Sequence, residues 1–145
     1  SINKIKTTHQ LAEIIRDAIP VKKNKIDPAT KTFQAIRIYL NDEIKELEDG
    51  LIAAERVLRP EGRLAVVSFH SIEDRIVKKF FLKCMQDKSF SRYSPEPPKK
   101  NPSLEILTKK PILPSTKEVN FNKRSRSAKL RIAKRTNFPS IFGEI

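Results

Sequence analysis

The stretch GRLAVVSFHSIEDRIVKKFF, residues 62–81, constrains the fold more than any other part of the sequence. Its first half contains LAVVSF, an apolar run with little alternation, which is typical of a strand covered on both faces and usually parallel to its neighbours. Its second half spaces apolar residues as a helix does. A strand at 63–69 that passes directly into a helix predicts an α/β fold.

Polar side chains crowd the point where this strand gives way to the helix. Ser71 and Asp74 have the spacing of a capping box, which predicts that Ser71 caps the helix. Ser68 and His70 lie on one side of the strand, at the end where parallel α/β sheets place their ligands. We therefore predict a substrate-facing role for Ser68 and His70. A hydrolase is disfavoured, because neither Ser68 nor Ser71 lies in a G-x-S-x-G elbow.

Two further helices are predicted before this stretch. The first covers residues 8–19, with Thr8 as its N-cap and Pro20 at its end. The second runs from 33 to 58, where apolar residues recur every three or four positions, with Thr30 or Thr32 as its cap. Because this apolar pattern is so long, we expect one helix that bridges two substructures.

Two short strands and a loop are predicted after it. Residues 91–103 are rich in proline and lack periodicity, so we expect a flexible surface loop. Residues 104–108 and 128–135 alternate as strands do. In the second strand the apolar positions alternate with Lys129, Arg131 and Lys134. One interpretation of the basic block is that some of its side chains only line the solvent face of an edge strand.

The net charge of +13 is concentrated towards the C-terminal part of the sequence. Residues 99–135 hold twelve Lys or Arg and two acids, Glu105 and Glu118. Such a region attracts phosphate backbones, which predicts RNA or DNA as a partner. A solvated basic tail without a partner is the alternative. With two Tyr and no Trp, extensive stacking on bases is not indicated.

Composition excludes several kinds of site. Zinc is disfavoured because the single cysteine, Cys84, and two histidines cannot complete a closed set of nitrogen and sulfur ligands. One cysteine also forms no internal disulfide, which fits a reducing compartment, the cytoplasm. The glycines Gly50, Gly62 and Gly143 form no G-x-G motif and no P-loop, so this sequence lacks the usual nucleotide cradle.

Three blocks of sequence together closely resemble the ribosomal RNA small subunit methyltransferase H family. They are DPATKTFQAIRIYLNDEIKELEDGL, LRPEGRLAVVSFHSIEDRIVKKFF and RSRSAKLRIAKR. The resemblance implies an α/β fold, the C-terminal part of a class I Rossmann-like methyltransferase sheet. On that basis residues 1–40 are the end of a helical insertion on the substrate side. Residues 41–145 are the C-terminal portion of the methyltransferase domain, with a parallel strand at 63–69.

The family's activity is methyl transfer from S-adenosylmethionine to the 4-amino group of a cytidine in 16S ribosomal RNA. The resemblance therefore implies an rRNA (cytosine-N4) methyltransferase. The family's glycine-rich donor loop has no counterpart here, so we expect a fragment that is inactive alone and lacks donor-binding residues. Two positions depart from the family pattern: Asp27 stands where His is usual before Pro28, and Lys123 stands where Pro is common.

The resemblance also implies which residues contact the RNA. Ser68, His70 and Ser71 would form one wall of the substrate pocket, with Arg37 and Asn41 as further candidates. Phosphates would be held without sequence readout by five cations: Lys123, Arg124, Arg126, Lys129 and Arg131. No residue is assigned as proton acceptor, and the oligomeric state is left open. The alternative is a non-catalytic basic module that binds ribosomal RNA.

Overall fold

The computed structural model describes residues 4–19, 27–85 and 101–143. The chain divides into two compact units, residues 1–44 and 45–145. Most of the predicted proline-rich loop at 91–103 lies outside the described residues. Its last residues are held in place: Ser103 N–H donates to the Cys84 carbonyl (3.0 Å), and the Thr136 hydroxyl donates to the Pro102 carbonyl (2.5 Å).

The first unit contains α1 (Thr8–Ala18), close to the predicted range of 8–19. Thr7, not Thr8, is the N-cap: its hydroxyl accepts from Gln10 N–H at 3.2 Å, and the Gln10 side chain accepts from Thr7 N–H at 3.3 Å. This reciprocal pair is a capping box. Both threonines suit an N-cap, so the residue type alone could not decide between them. Only Thr7 has Gln three residues later, which completes the capping box.

The next helix, α2 (Pro28–Leu40), is capped by Asp27 and not by Thr30 or Thr32. The Asp27 carboxylate accepts from Ala29 N–H at 2.9 Å and from the Arg16 guanidinium at 2.8 Å. The hydrogen bond from Arg16 lowers the pKa of Asp27. Asp27 therefore starts α2 and also joins it to α1, which gives a structural role to one of the two positions that depart from the family pattern.

The single bridging helix predicted over 33–58 is wrong. The structure has two helices, α2 and α3 (Glu43–Val57), separated by a turn at Asn41 and Asp42. Asp42 has φ of 50°, in the left-handed region that Asn and Asp tolerate better than other non-glycine residues. The apolar spacing continues across the turn, so periodicity alone could not reveal the break.

In the second unit, a tight turn leads from α3 into β1 (Arg63–Ser68). Gly62 N–H donates to the Arg59 carbonyl at 2.9 Å, and Glu61 has φ of 67°. A Cβ at Gly62 would lie 2.8 Å from that carbonyl oxygen, so only glycine fits there without movement.

Three strands form one antiparallel sheet in the order β1-β3-β2, with β2 at Leu104–Ile106 and β3 at Lys129–Arg135. The mixed α/β class and both closing strands are confirmed. Between them lie α4 (Ser71–Met85), α5 (Thr116–Phe121) and a 3-10 helix (Lys123–Ser127). β1 is an edge strand whose only strand partner among the described residues is antiparallel, so the predicted parallel neighbour is not part of them.

The core lies between this sheet and the two helices α3 and α4. Its buried members are Leu51, Val77, Phe80, Phe81, Cys84, Leu104 and Ala133. β1 contributes Leu64 and Val66 to this side. The other face of β1 is open, with Val67 54% exposed, so the prediction of a strand covered on both faces does not hold for the described residues.

β3 is the central strand, which contradicts the predicted edge position. Arg131 and Arg135 are buried on the side of Ala133, whereas Leu130 and Ile132 alternate to the opposite face. The sequence pattern had placed the apolar residues inside and the cations outside. The opposite arrangement is possible because each buried arginine has acid or carbonyl partners.

Candidate substrate site and basic surface

The start of α4 is held by His70 and Glu73. His70 occupies the N-cap position, because its carbonyl accepts from Asp74 N–H at 3.2 Å. The Glu73 carboxylate reaches back to the N–H groups of Phe69 (2.8 Å) and His70 (3.2 Å). The predicted capping pair of Ser71 and Asp74 is therefore wrong by one residue, since the pair that caps is His70 and Glu73.

The imidazole of His70 is mostly buried, with 17% of the side chain exposed. Its Nδ1 accepts from Glu73 N–H at 3.4 Å, so in the neutral ring the proton belongs on Nε2. Nε2 lies 3.2 Å from the Glu73 carboxylate, within ion-pair distance, but it makes no hydrogen bond within the described part of the chain. Both ring nitrogens therefore face Glu73, Nδ1 its backbone N–H and Nε2 its carboxylate.

Ser68 and Ser71 differ in access. Ser68 is 3% exposed, and its hydroxyl donates to the Lys129 carbonyl at 3.5 Å. Ser71 is exposed at the first position of α4. The structure therefore presents Ser71 to solvent and keeps Ser68 inside, on the face of β1 that packs against the helices.

Exposed apolar side chains flank His70 and Ser71, and sequence reasoning missed them. Phe69 is 57% exposed, Val67 54% and Ile72 40%. They looked like interior residues because the run that contains them is apolar. Their exposure gives this end of β1 an apolar surface among the described residues.

Asp74 joins α4 to β3. Its carboxylate accepts from Arg131 Nε at 2.7 Å and from Lys129 Nζ at 3.2 Å. The hydrogen bond from Arg131, followed by that from Lys129, lowers the pKa of Asp74. Only 8% of the Arg131 side chain is exposed and 31% of Lys129, so Asp74 gives both cations a structural role. Their contact with RNA phosphates stays a prediction.

The other three predicted cations lie on the 3-10 helix. Lys123, Arg124 and Arg126 are exposed, and within residues 4–19, 27–85 and 101–143 none of them forms an ion pair. Their charge is therefore available to an external anion.

Arg37 and Asn41, the remaining candidates, belong to the first unit. Both contact Glu43: Arg37 Nε lies 2.7 Å from Oε1, and Asn41 Nδ2 donates to the same atom at 3.4 Å. These contacts hold the two side chains at the turn between α2 and α3. His70, Ser71 and the cations belong to the second unit.

No glycine-rich cradle for S-adenosylmethionine exists in the described structure. Gly50 is inside α3, Gly62 forms the turn before β1, and Gly143 is an isolated residue with φ of 82°. Likewise, the described residues include no cluster of His, Cys, Asp and Glu placed to hold a metal ion. None of the helices described is long and apolar enough to cross a membrane.

Comparison with known proteins shows where the chain belongs. Residues 1–136 match the sequence profile of the MraW methylase family. The chain belongs to the MraW methylase family. The small antiparallel sheet with its helices is consistent with the C-terminal part of the MraW methyltransferase fold.

Several relatives named ribosomal RNA small subunit methyltransferase H are about half identical to this MraW family chain. The protein of Nitrobacter hamburgensis is 52% identical over 136 residues, covering 94% of this chain and 41% of its own length. The protein of Rickettsia canadensis is 54% identical over 134 residues, covering 90% of this chain and 44% of its own length. The resemblance deduced from the sequence is confirmed, and the chain spans less than half the length of these relatives.

Proposed function

We propose that this chain forms the substrate side of an enzyme that methylates the 4-amino group of a cytidine in 16S ribosomal RNA, with S-adenosylmethionine as donor. The observation that carries the proposal is the family match over residues 1–136, which includes the whole of β1, α4 and β3. The relatives named for small-subunit ribosomal RNA methylation support the choice of RNA.

The described residues do not make a site for S-adenosylmethionine, so we derive no step through the donor. We propose that its binding residues lie in the part of the relatives' length that this sequence does not span, present either in one longer chain or as a separate half. The free edge of β1 supports this proposal, because a further strand can pair there.

In this proposal the end of β1 positions the target base. A cytosine must be unpaired or flipped to reach such a pocket. Phe69 offers an exposed ring for the base to rest on and Ser71 offers an exposed hydroxyl. His70 lies between them, and its buried imidazole would position both through its contacts with Glu73. Positioning of this kind supplies much of the acceleration in a reaction between two bound reactants. Arg37 and Asn41 remain candidates on the helical unit.

The basic surface fixes the RNA without reading its sequence. Lys123, Arg124 and Arg126 are exposed and form no ion pair among the described residues, so we propose them as phosphate contacts. A cytoplasmic location fits both this substrate and the single buried thiol, Cys84.

A second candidate function is a non-catalytic module that binds ribosomal RNA. The same three exposed cations and the net charge of +13 favour it, because cations can bind phosphates without any methyl transfer. The two functions differ in what happens when a donor-binding half is supplied.

The test combines this chain with the N-terminal portion of the Nitrobacter hamburgensis relative, 16S ribosomal RNA and S-adenosylmethionine. We expect N4-methylcytidine in the digested RNA, measured by nucleoside mass spectrometry, and none with either portion alone. His70→Asn keeps a good N-cap residue but removes the imidazole, so we expect a drop of about 10- to 100-fold in methylation.

His9→Asn is the matched control, since His9 is an exposed residue of α1 that pairs with Glu13 at 3.0 Å. It should leave methylation unchanged. Intact RNA binding with no methylation in the combined sample would support the non-catalytic module instead.

A further inference from the structure

Phe121 is the most exposed large apolar side chain among the described residues, at 95%. It is the last residue of α5, a short helix that begins at the Ser115 cap, whose hydroxyl accepts from Glu118 N–H at 3.2 Å. A single exposed apolar residue needs no explanation by itself. What distinguishes Phe121 is the chemistry of the residues that follow it.

Three cations that form no ion pair in the described structure come directly after this ring. Lys123, Arg124 and Arg126 lie within five residues of Phe121 and are exposed. Lys129 and Arg131, by contrast, share the Asp74 carboxylate, and Lys134 Nζ lies 3.2 Å from Glu105. Residues 121–126 therefore combine an exposed ring with three cations that have no acidic partner among the described residues.

The backbone between ring and cations is fixed. Asn122 ends α5, donating its N–H to the Glu118 carbonyl at 2.7 Å, and it also caps the 3-10 helix by accepting from Arg124 N–H at 3.1 Å. Ser125 is buried, and its hydroxyl donates to the Asn122 carbonyl at 2.8 Å. Phe121 and the cations are thus held at a set spacing, so little order has to be gained on binding.

An exposed ring beside unpaired cations matches single-stranded nucleic acid. Bases stack on aromatic side chains while a positive surface follows the backbone, whereas a duplex keeps its bases stacked on each other. We propose that Phe121 stacks an unpaired base of the RNA substrate while Lys123, Arg124 and Arg126 hold the neighbouring phosphates. This inference rests on the proposed RNA partner, and a single stacked base agrees with the expectation from composition that stacking is not extensive.

Because the chain has no tryptophan, Phe121→Trp places one fluorescent reporter at the proposed platform. We expect a short single-stranded RNA to quench this fluorescence as it binds. An oligomer of the same length with abasic sugars should bind through its phosphates with little quenching. Equal quenching by both oligomers would overturn the inference, because quenching by the abasic oligomer cannot come from a stacked base.

Affinity gives a second readout. Phe121→Ala should weaken binding of single-stranded RNA by about 5- to 150-fold, the range that base–aromatic stacking supplies, without changing the salt dependence. Lys123→Gln should reduce the slope of log affinity against log salt by about 0.7, the value for one phosphate contact with a single strand. Leu113→Ala, at another exposed apolar residue, is the control and should change neither.

The outcomes separate this inference from the proposed function. If Phe121→Ala leaves RNA affinity unchanged while Lys123→Gln weakens it, the stacking role is wrong and the RNA partner stands. If Phe121→Ala changes only sedimentation, the ring contacts protein and the inference is overturned. If the unaltered chain binds no RNA at all, the inference and the proposed RNA contact fail together.

Discussion

Arg135→Met is expected to lower the free energy of unfolding by about 3–5 kcal/mol, a large part of the stability of an ordinary domain. The Arg135 Nη1 group donates to three carbonyls, those of Ser103 (2.8 Å), Thr136 (3.3 Å) and Phe138 (2.6 Å). Its Nε lies 3.8 Å from the carboxylate of Glu55, which is 0% exposed. Removing the guanidinium leaves a buried carboxylate and these carbonyls without their cationic partner.

The neighbouring residue provides the control. Lys134→Met removes an equally charged side chain whose partners, Glu61 and Glu105, are exposed, so we expect a much smaller loss of stability. Urea denaturation followed by circular dichroism measures both variants. A double variant, Glu55→Leu with Arg135→Met, should be more stable than Arg135→Met alone, because no buried charge remains. Equal effects of the Arg135 and Lys134 variants would contradict this interpretation.

Asp74→Asn is expected to lower the free energy of unfolding by about 1–3 kcal/mol at neutral pH. It should also make the free energy of unfolding depend less on pH in the acid range. In the folded state the pKa of Asp74 is lowered, chiefly by the hydrogen bond from Arg131. The unfolded chain therefore binds a proton more readily than the folded one. The stability from this carboxylate is fully present above its ordinary pKa and is lost as the pH falls through the lowered folded value.

Denaturation curves at a series of pH values test this sign. The gap between the unaltered chain and Asp74→Asn should be widest at neutral pH and close in acid. Asp49→Asn, which alters an exposed residue of α3, should follow the unaltered chain at every pH. A constant gap across the whole series would show that Asp74 acts through packing and not through its charge.

The sequence predicted the elements well where one local rule decided them. The strand at 63–69, the helix after it and both closing strands are where periodicity placed them. Caps and breaks were harder because they depend on hydrogen bonds between competing candidates. Thr7 replaced Thr8, Asp27 replaced Thr30, and the turn at Asn41 and Asp42 divided a helix whose apolar spacing continues through it.

The site was predictable in its place but not in its contacts. The sequence located the end of β1, but it did not show which face of the strand packs against the helices. In the structure Ser68 is buried on that face and Phe69 is exposed on the other. The cations of β3 were expected in solvent. Asp74 is distant in sequence from Arg131, so the ion pair that allows Arg131 to be buried has no local signature.

We expect β1, which lies at the edge of the described sheet, to become an interior strand when the donor-binding portion is present. Val67 stands opposite Leu130, whose N–H and C=O both bond at 2.9 Å to Ile112 on the far side of β3. Hydrogen bonds alternate along an antiparallel strand, so the N–H groups of Val67 and, two residues earlier, Ala65 point to the free edge of β1.

Amide hydrogen exchange at Ala65 and Val67 tests this claim most directly. In the chain alone these two amides should exchange much faster than those of Leu64 and Val66, which face β3. On addition of the N-terminal portion of the Nitrobacter hamburgensis relative, we expect strong protection at Ala65 and Val67. Methylation in the combined sample without any gain in protection at these two amides would contradict the account.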